Sequence, residues 1–132
     1  MRIAWFGLAE AAVFDGRGAL TLVGLNMNVT TATAFPVAVR RSLVILLEWD
    51  SKESEPMQEH AVRLQMEGPG TEALVDVNLP AISTTKPRFS ELPGGAHVVV
   101  DIEGEVQAPG VYTYRCTVGD LSDDCQIYVA AP

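Results

Sequence analysis

AHVVVDIEGEVQAPGVYTYRCTVGDLSDDCQIYV, residues 96–129, holds three strand-length segments in which inward and outward side chains alternate. The first sets Val98, Val100 and Ile102 on one face and Val99, Asp101 and Glu103 on the other. The second sets Tyr112, Tyr114, Cys116 and Val118 against Thr113, Arg115 and Thr117. The third sets Cys125, Ile127 and Val129 against Asp124, Gln126 and Tyr128. A period of two over such lengths marks antiparallel strands with one face in a core and the other in water. The joints, at Pro109-Gly110 and from Gly119 to Asp124, are too short for crossover helices, so the three segments are expected to pair as a meander.

The rest of the chain continues in the same style. Residues 2–14 and 19–29 form two strand-like arms around the turn Asp15-Gly16-Arg17-Gly18, with Ala9 to Ala12 kept in strand and allowed a bulge. Thr30 to Arg41 reads as a connection, extended at Phe35 because the residue before a proline avoids the helical region. Ser42 to Trp49 has five consecutive apolar residues and so reads as a strand covered on both faces. One face of a sandwich sheet normally meets water, so either a loop or another subunit has to cover Val44 and Leu46. Asp50 to Pro56 is an acidic loop, and Ala61 to Glu67 turns Val62, Leu64 and Met66 inward. Gly68-Pro69-Gly70 leads into a strand from Ala73 to Leu79 through Val75 and Val77, and Pro80 to Gly95 is an irregular crossing between sheets. About eight strands result, which predicts an all-β, antiparallel two-layer β-sandwich filling residues 1–132 as a single domain, with a closed β-barrel as the other architecture.

Composition narrows the function classes. With 9 Lys plus Arg against 17 Asp plus Glu, the net charge is −8, and such a surface gains no counterion release from a phosphate backbone. No nucleic-acid partner and no membrane partner is expected. Met1 to Ala9 superficially resembles a signal peptide, but Glu10 interrupts it and no run reaches the ~20 apolar residues of a membrane span. The expectation is a soluble, cytoplasmic protein. Cys116 and Cys125 are too few for a disulfide scaffold. A four-residue turn from Gly119 to Ser122 would set them opposite one another; a two-residue turn at Gly119-Asp120 would set them diagonally, as buried free thiols.

Ala4-Trp5-Phe6 through Ala11-Ala12, the turn Asp15-Gly16-Arg17-Gly18, the run Arg41 to Glu48, and Pro109-Gly110-Val111-Tyr112-Thr113-Tyr114-Arg115 together resemble a family of short, functionally uncharacterised bacterial β-sandwich proteins. The resemblance implies the fold and carries no chemistry with it.

The search for chemistry is short. His60 and His97 are the only histidines, and both fall at strand mouths, away from any base–nucleophile pair. Cys116 and Cys125 stand nine apart without the paired ligands of a zinc site, and the Gly-rich turns lack the lysine and helix of a phosphate loop. No catalytic residue and no cofactor is assigned. Trp5, Phe6, Trp49, Tyr112 and Tyr114 read as core, whereas Tyr128 alternates outward; Arg40-Arg41 is a basic pair suited to a solvated strand start or an acidic partner. If the loops alternate simply, Asp15, Asp50, Glu53, Glu55, Asp120, Asp123 and Asp124 gather at one end, where oxygen ligands suit calcium. Against that, acidic residues also favour turns for their own backbone bonds, and no loop has the dense spacing of a dedicated calcium site. The reading is a non-enzymatic interaction or structural module of a bacterial or phage-derived assembly. It takes a protein partner or self-associates as a dimer through Val44, Leu46 and Tyr128. The alternative is a small-ligand or divalent-metal-binding module.

Overall fold

The structure, a computed structural model, describes residues 1–26, 28–54, 56–70, 73–89 and 91–132. Among them are ten strands and no helix: β1 (Arg2–Ala9), β2 (Ala11–Phe14), β3 (Leu20–Val23), β4 (Val29–Thr31), β5 (Val37–Trp49), β6 (Glu59–Glu67), β7 (Ala73–Ser83), β8 (Gly94–Val106), β9 (Gly110–Val118) and β10 (Leu121–Ala130). They form a three-stranded sheet in the order β1-β5-β8, a five-stranded sheet in the order β4-β10-β9-β6-β7, and a separate β2-β3 hairpin. No sheet closes into a barrel; the architecture is the expected sandwich. Every pairing is antiparallel except β4 with β10, which is parallel.

Setting the β2-β3 insertion aside, this is the connectivity of an immunoglobulin-like sandwich, in which the first strand divides between the sheets as β1 and β4. A tyrosine corner accompanies it. Tyr112, near the start of β9, is buried, and its hydroxyl donates to the Ala108 carbonyl at 2.6 Å. The core fills from both sheets, with Phe6, Leu8, Leu43, Ile45, Leu47 and Ile102 on one side and Val62, Leu64, Met66, Tyr114, Val118 and Ile127 on the other.

The meander is corrected. β9 and β10 pair along their length, but β8 pairs with β5 in the opposite sheet, from Val37↔Val106 to Trp49↔Gly94. The inward faces are as expected, so alternation is right and pairing is not. β8 and β9 present their apolar faces to one core from opposite sides. The linker at residues 107–109 spans the gap of about 10 Å between sheets, within reach of three extended residues.

Other boundaries move for local reasons. The first arm breaks at Glu10: β1 stays with β5 while β2 turns away to pair with β3. The expected connection at residues 30–41 contains the end of β4 and the start of β5. β7 runs on through Pro80 to Ser83, which an edge strand permits because the missing N–H faces no neighbour; a register shift between His60 and Val62 lies opposite. The irregular crossing is correspondingly shorter.

Candidate functional site

β5 is the central strand of its sheet, and its double burial is real: Val44 is 0% exposed within one chain. Cross-strand pairing puts Trp5, Gly7 and Ala9 of β1 beside Leu46, Val44 and Ser42 on the outer face. Gly7 has no side chain there because the Trp5 indole lies over it; a Cβ would collide with the ring. Val44, opposite Gly7 in the register, is therefore covered from within the same chain, on the face where the ring lies. Of the three expected interface residues, Val44 therefore offers no surface to a partner, Leu46 is part-buried, and only Tyr128 is exposed. Farther along this face Ser42 Oγ donates to Asp101 Oδ1 at 2.5 Å and Arg40 Nη2 to Asp101 Oδ2 at 3.0 Å. Those bonds hold the Asp101 carboxyl below its usual value.

The carboxylates do not assemble. Asp15 belongs to the β2–β3 turn, where Oδ1 accepts from the Arg17 N–H at 2.7 Å and the Ala19 N–H at 3.0 Å, and Oδ2 pairs with Arg17. The Ala19 and Arg17 bonds lower its pKa. Asp50 accepts from the N–H groups of Lys52 and Glu53, as a turn residue does. Glu53 pairs with the terminal amine of Met1 at 2.6 Å. The β9–β10 turn is only Gly119-Asp120, with Gly119 at φ 57°, so Asp123 and Asp124 lie inside β10 rather than in a loop. Asp124 pairs with Arg115 at 2.9 Å, and Asp123 Oδ1 accepts from the Asp124 N–H at 2.8 Å. Among the described residues no three His, Cys, Asp or Glu side chains group as metal ligands; Glu55 lies outside those residues.

The nucleophiles and bases are likewise apart. The two-residue turn sets Cys116 opposite Asp123 and Cys125 opposite Tyr114, the diagonal arrangement, and both thiols are free. Burial pushes each up to about 12. Tyr114 is also pushed up to about 12 by burial; its hydroxyl has no hydrogen-bond partner in the structure. His97 pairs with Leu46 on the outer face of the three-stranded sheet, and His60 packs by Gly119 in the other sheet. Arg40 holds Asp101, while Arg41 turns toward the interior and donates to Thr30 Oγ1 and, at 2.8 Å, to the Arg40 carbonyl. Trp49 is buried and donates from Nε1 to the Thr85 carbonyl at 2.8 Å. A cleft of about 280 Å³ beside it is lined by ion-paired Arg2, Glu48 and Glu53.

What the residues do assemble is exposed apolar surface. β2 and β3 carry Val13, Phe14 and Val23, and Leu25 follows; all four are exposed. Val13 and Val23 share one face of the hairpin, while Ala12 and Leu22 on the other are part-buried. The tip is electrically closed by the Asp15–Arg17 pair. A second set lies on the five-stranded sheet, where Val111, Tyr128 and Val29 form a cross-strand row. Sequence reasoning found Tyr128 and missed the others, although the adjacent pair Val13-Phe14 breaks alternation just before a turn.

No protein-family model and no curated relative matches the chain. Solved structures similar in shape include the following two. One is a Pseudomonas fluorescens alkylpurine DNA glycosylase, AlkC, bound to DNA containing an abasic site analogue, at TM-score 0.51 and 16% identity, over 80% of this chain and 28% of that one. The other is an Erythrobacter marinus β-glucosidase, EmGH1, at TM-score 0.42 and 13% identity, over 96% of this chain and 15% of that one. The chain thus spans under a third of either protein. At such identity the first likeness speaks for the fold alone, and the second carries no argument. No helix among the described residues is long and apolar enough to cross a membrane.

Proposed function

We propose that this chain is a non-enzymatic interaction module, a structural part of a bacterial or phage-derived protein assembly, whose contact arm is the β2-β3 hairpin. One observation carries the reading: a hairpin in no other sheet presents Val13, Phe14, Val23 and Leu25 to solvent. Two strands alone are marginal in water, and apolar side chains left exposed on such a hairpin, Val13 and Val23 on one face and Phe14 on the other, mark a contact site. The partner chemistry follows from the side chains. A protein groove of apolar residues fits them, and because Asp15 and Arg17 neutralise each other the tip asks for no charge in return. The non-enzymatic part of the reading is supported by thiols held protonated and by histidines lying in different sheets. Calcium binding is the weaker alternative, since Asp15, Asp50, Asp123 and Asp124 already accept backbone or arginine N–H groups.

A photo-crosslinking residue at Phe14, with Asp76 as the control position, tests it in cells of the source organism. The expected result is one discrete adduct from position 14, suppressed by excess unmodified chain and by Val13→Asp, and none from position 76. Equal labelling from both positions, or an adduct that Val13→Asp leaves unchanged, overturns the proposal.

A further inference from the structure

We infer that β8 takes an added strand from a partner protein, an extended segment in which lysine or arginine alternates with apolar residues. The site is the edge of the three-stranded sheet opposite β1, the strand from which the hairpin departs, so it is separate from the contact arm. β8 runs for 13 residues and, among the described residues, pairs with β5 alone. Every second residue therefore turns its N–H and C=O outward from the sheet, where an extended chain can bond them. An immunoglobulin sheet of this kind carries a fourth strand at that place. Here the chain does not supply one: no strand among the described residues lies between Ser83 and Gly94, and Thr84 and Thr85 bond Gln58 and Trp49 at the end of the sandwich.

The side chains along the edge state what fits. On the inner face, β8 meets the other edge strand, β7, where Gly104 lies against Met66 and Val75. Cover thins from there towards Gly94. Ile102 is 4% exposed, but Val98 and Val100 are only part-buried, and Val77, inward-facing opposite Leu64, is 37% exposed. An incoming strand covers them with an apolar residue at every second position. On the outer face, β8 carries Asp101, Glu103 and Glu105 at that same spacing, all exposed. Arg40 and Ser42 bond Asp101, while Glu105 accepts from the neutral Gln107 amide at 2.8 Å. Directly opposite side chains in a strand pair stand about 5 Å apart, so a cation on the incoming strand reaches each carboxylate. The same row rejects a second copy. Two β8 edges paired about Glu103 would set carboxylates against carboxylates, in chains that each carry a net charge of −8.

The probe is a peptide of about nine residues alternating lysine and valine, the length of a long strand. Calorimetry with the full chain is expected to show binding, and hydrogen exchange to slow at least tenfold at alternate amides between Val98 and Glu105. The glutamate–valine counterpart and a backbone N-methylated lysine–valine peptide should not bind. Glu103→Lys with Glu105→Lys should weaken binding at least tenfold at an unchanged melting temperature, whereas Val13→Asp in the hairpin leaves it intact. Should the lysine pair melt lower, Glu103→Gln with Glu105→Gln replaces it, with a loss of at least threefold. No binding of the lysine peptide, equal binding of either counterpart, protection confined to strands other than β8, or an affinity unchanged by the disrupting pair overturns the inference.

Discussion

Cys116, Cys125 and Tyr114 sit together in the β9–β10 half of the core, each with its pKa pushed to about 12 by burial. From ordinary values of 9.0 for the thiols and 10.0 for the phenol, the shift is upward, so the folded chain holds these protons after the unfolded chain has released them. Their contribution to stability is complete below the unfolded values and is lost as pH rises through the folded ones. The denaturant midpoint is therefore expected to fall steadily above about pH 9, and folded protein should react with a thiol reagent only after unfolding. A midpoint flat to pH 12, or rapid labelling of native protein, contradicts the buried placement. The thiols were legible as inward-facing from alternation alone. Their lack of a bond was not, because one choice of turn length decides whether Cys116 meets Cys125 or Asp123, and only the Gly119-Asp120 geometry settles it.

Elements show where local pattern stops informing. The apolar run of β5 announced a strand covered on both sides, and its neighbours β1 and β8 with the core beneath confirm the cover. Which object covers the outer face was not legible, since it depends on the Trp5 ring lying over the Gly7 backbone of the same strand, a contact that no periodicity encodes. The same limit applies to β8. Its alternation names the inward residues correctly but is blind to which sheet they face, because a strand facing the core from either side has the same pattern. The consequence for substitution is a contrast between neighbours. Val44→Glu should unfold the chain or cost more than about 4 kcal/mol, as an unpaired buried charge does. Leu46→Glu, part-buried between Trp5 and His97, should cost clearly less in chemical denaturation. Equal costs would mean that the outer face is covered differently from the Trp5–Gly7 contact.

At the scale of the whole molecule, stability and contact are divided between parts. The sandwich closes its own core, the Tyr112 corner ties the β8–β9 crossing, and cross-strand ion pairs Arg63–Asp76, Arg115–Asp124 and Arg40–Asp101 lie on the outward faces. The hairpin takes little part in that closure and carries apolar side chains to solvent. Its presence was legible from Asp15-Gly16-Arg17-Gly18, but its independence from both sheets was not, because the break at Glu10 is an ordinary polar residue in a strand-like run. Hydrogen exchange separates the two roles most directly, first on the chain alone and then with the protein captured through Phe14. Alone, amides of Ala11–Phe14 and Leu20–Val23 should exchange far faster than those of β5, β6 and β9; with the partner bound, those two segments should gain the largest protection. Core-like protection of the hairpin in the free chain, or protection on binding confined to other strands, contradicts a contact arm at β2-β3.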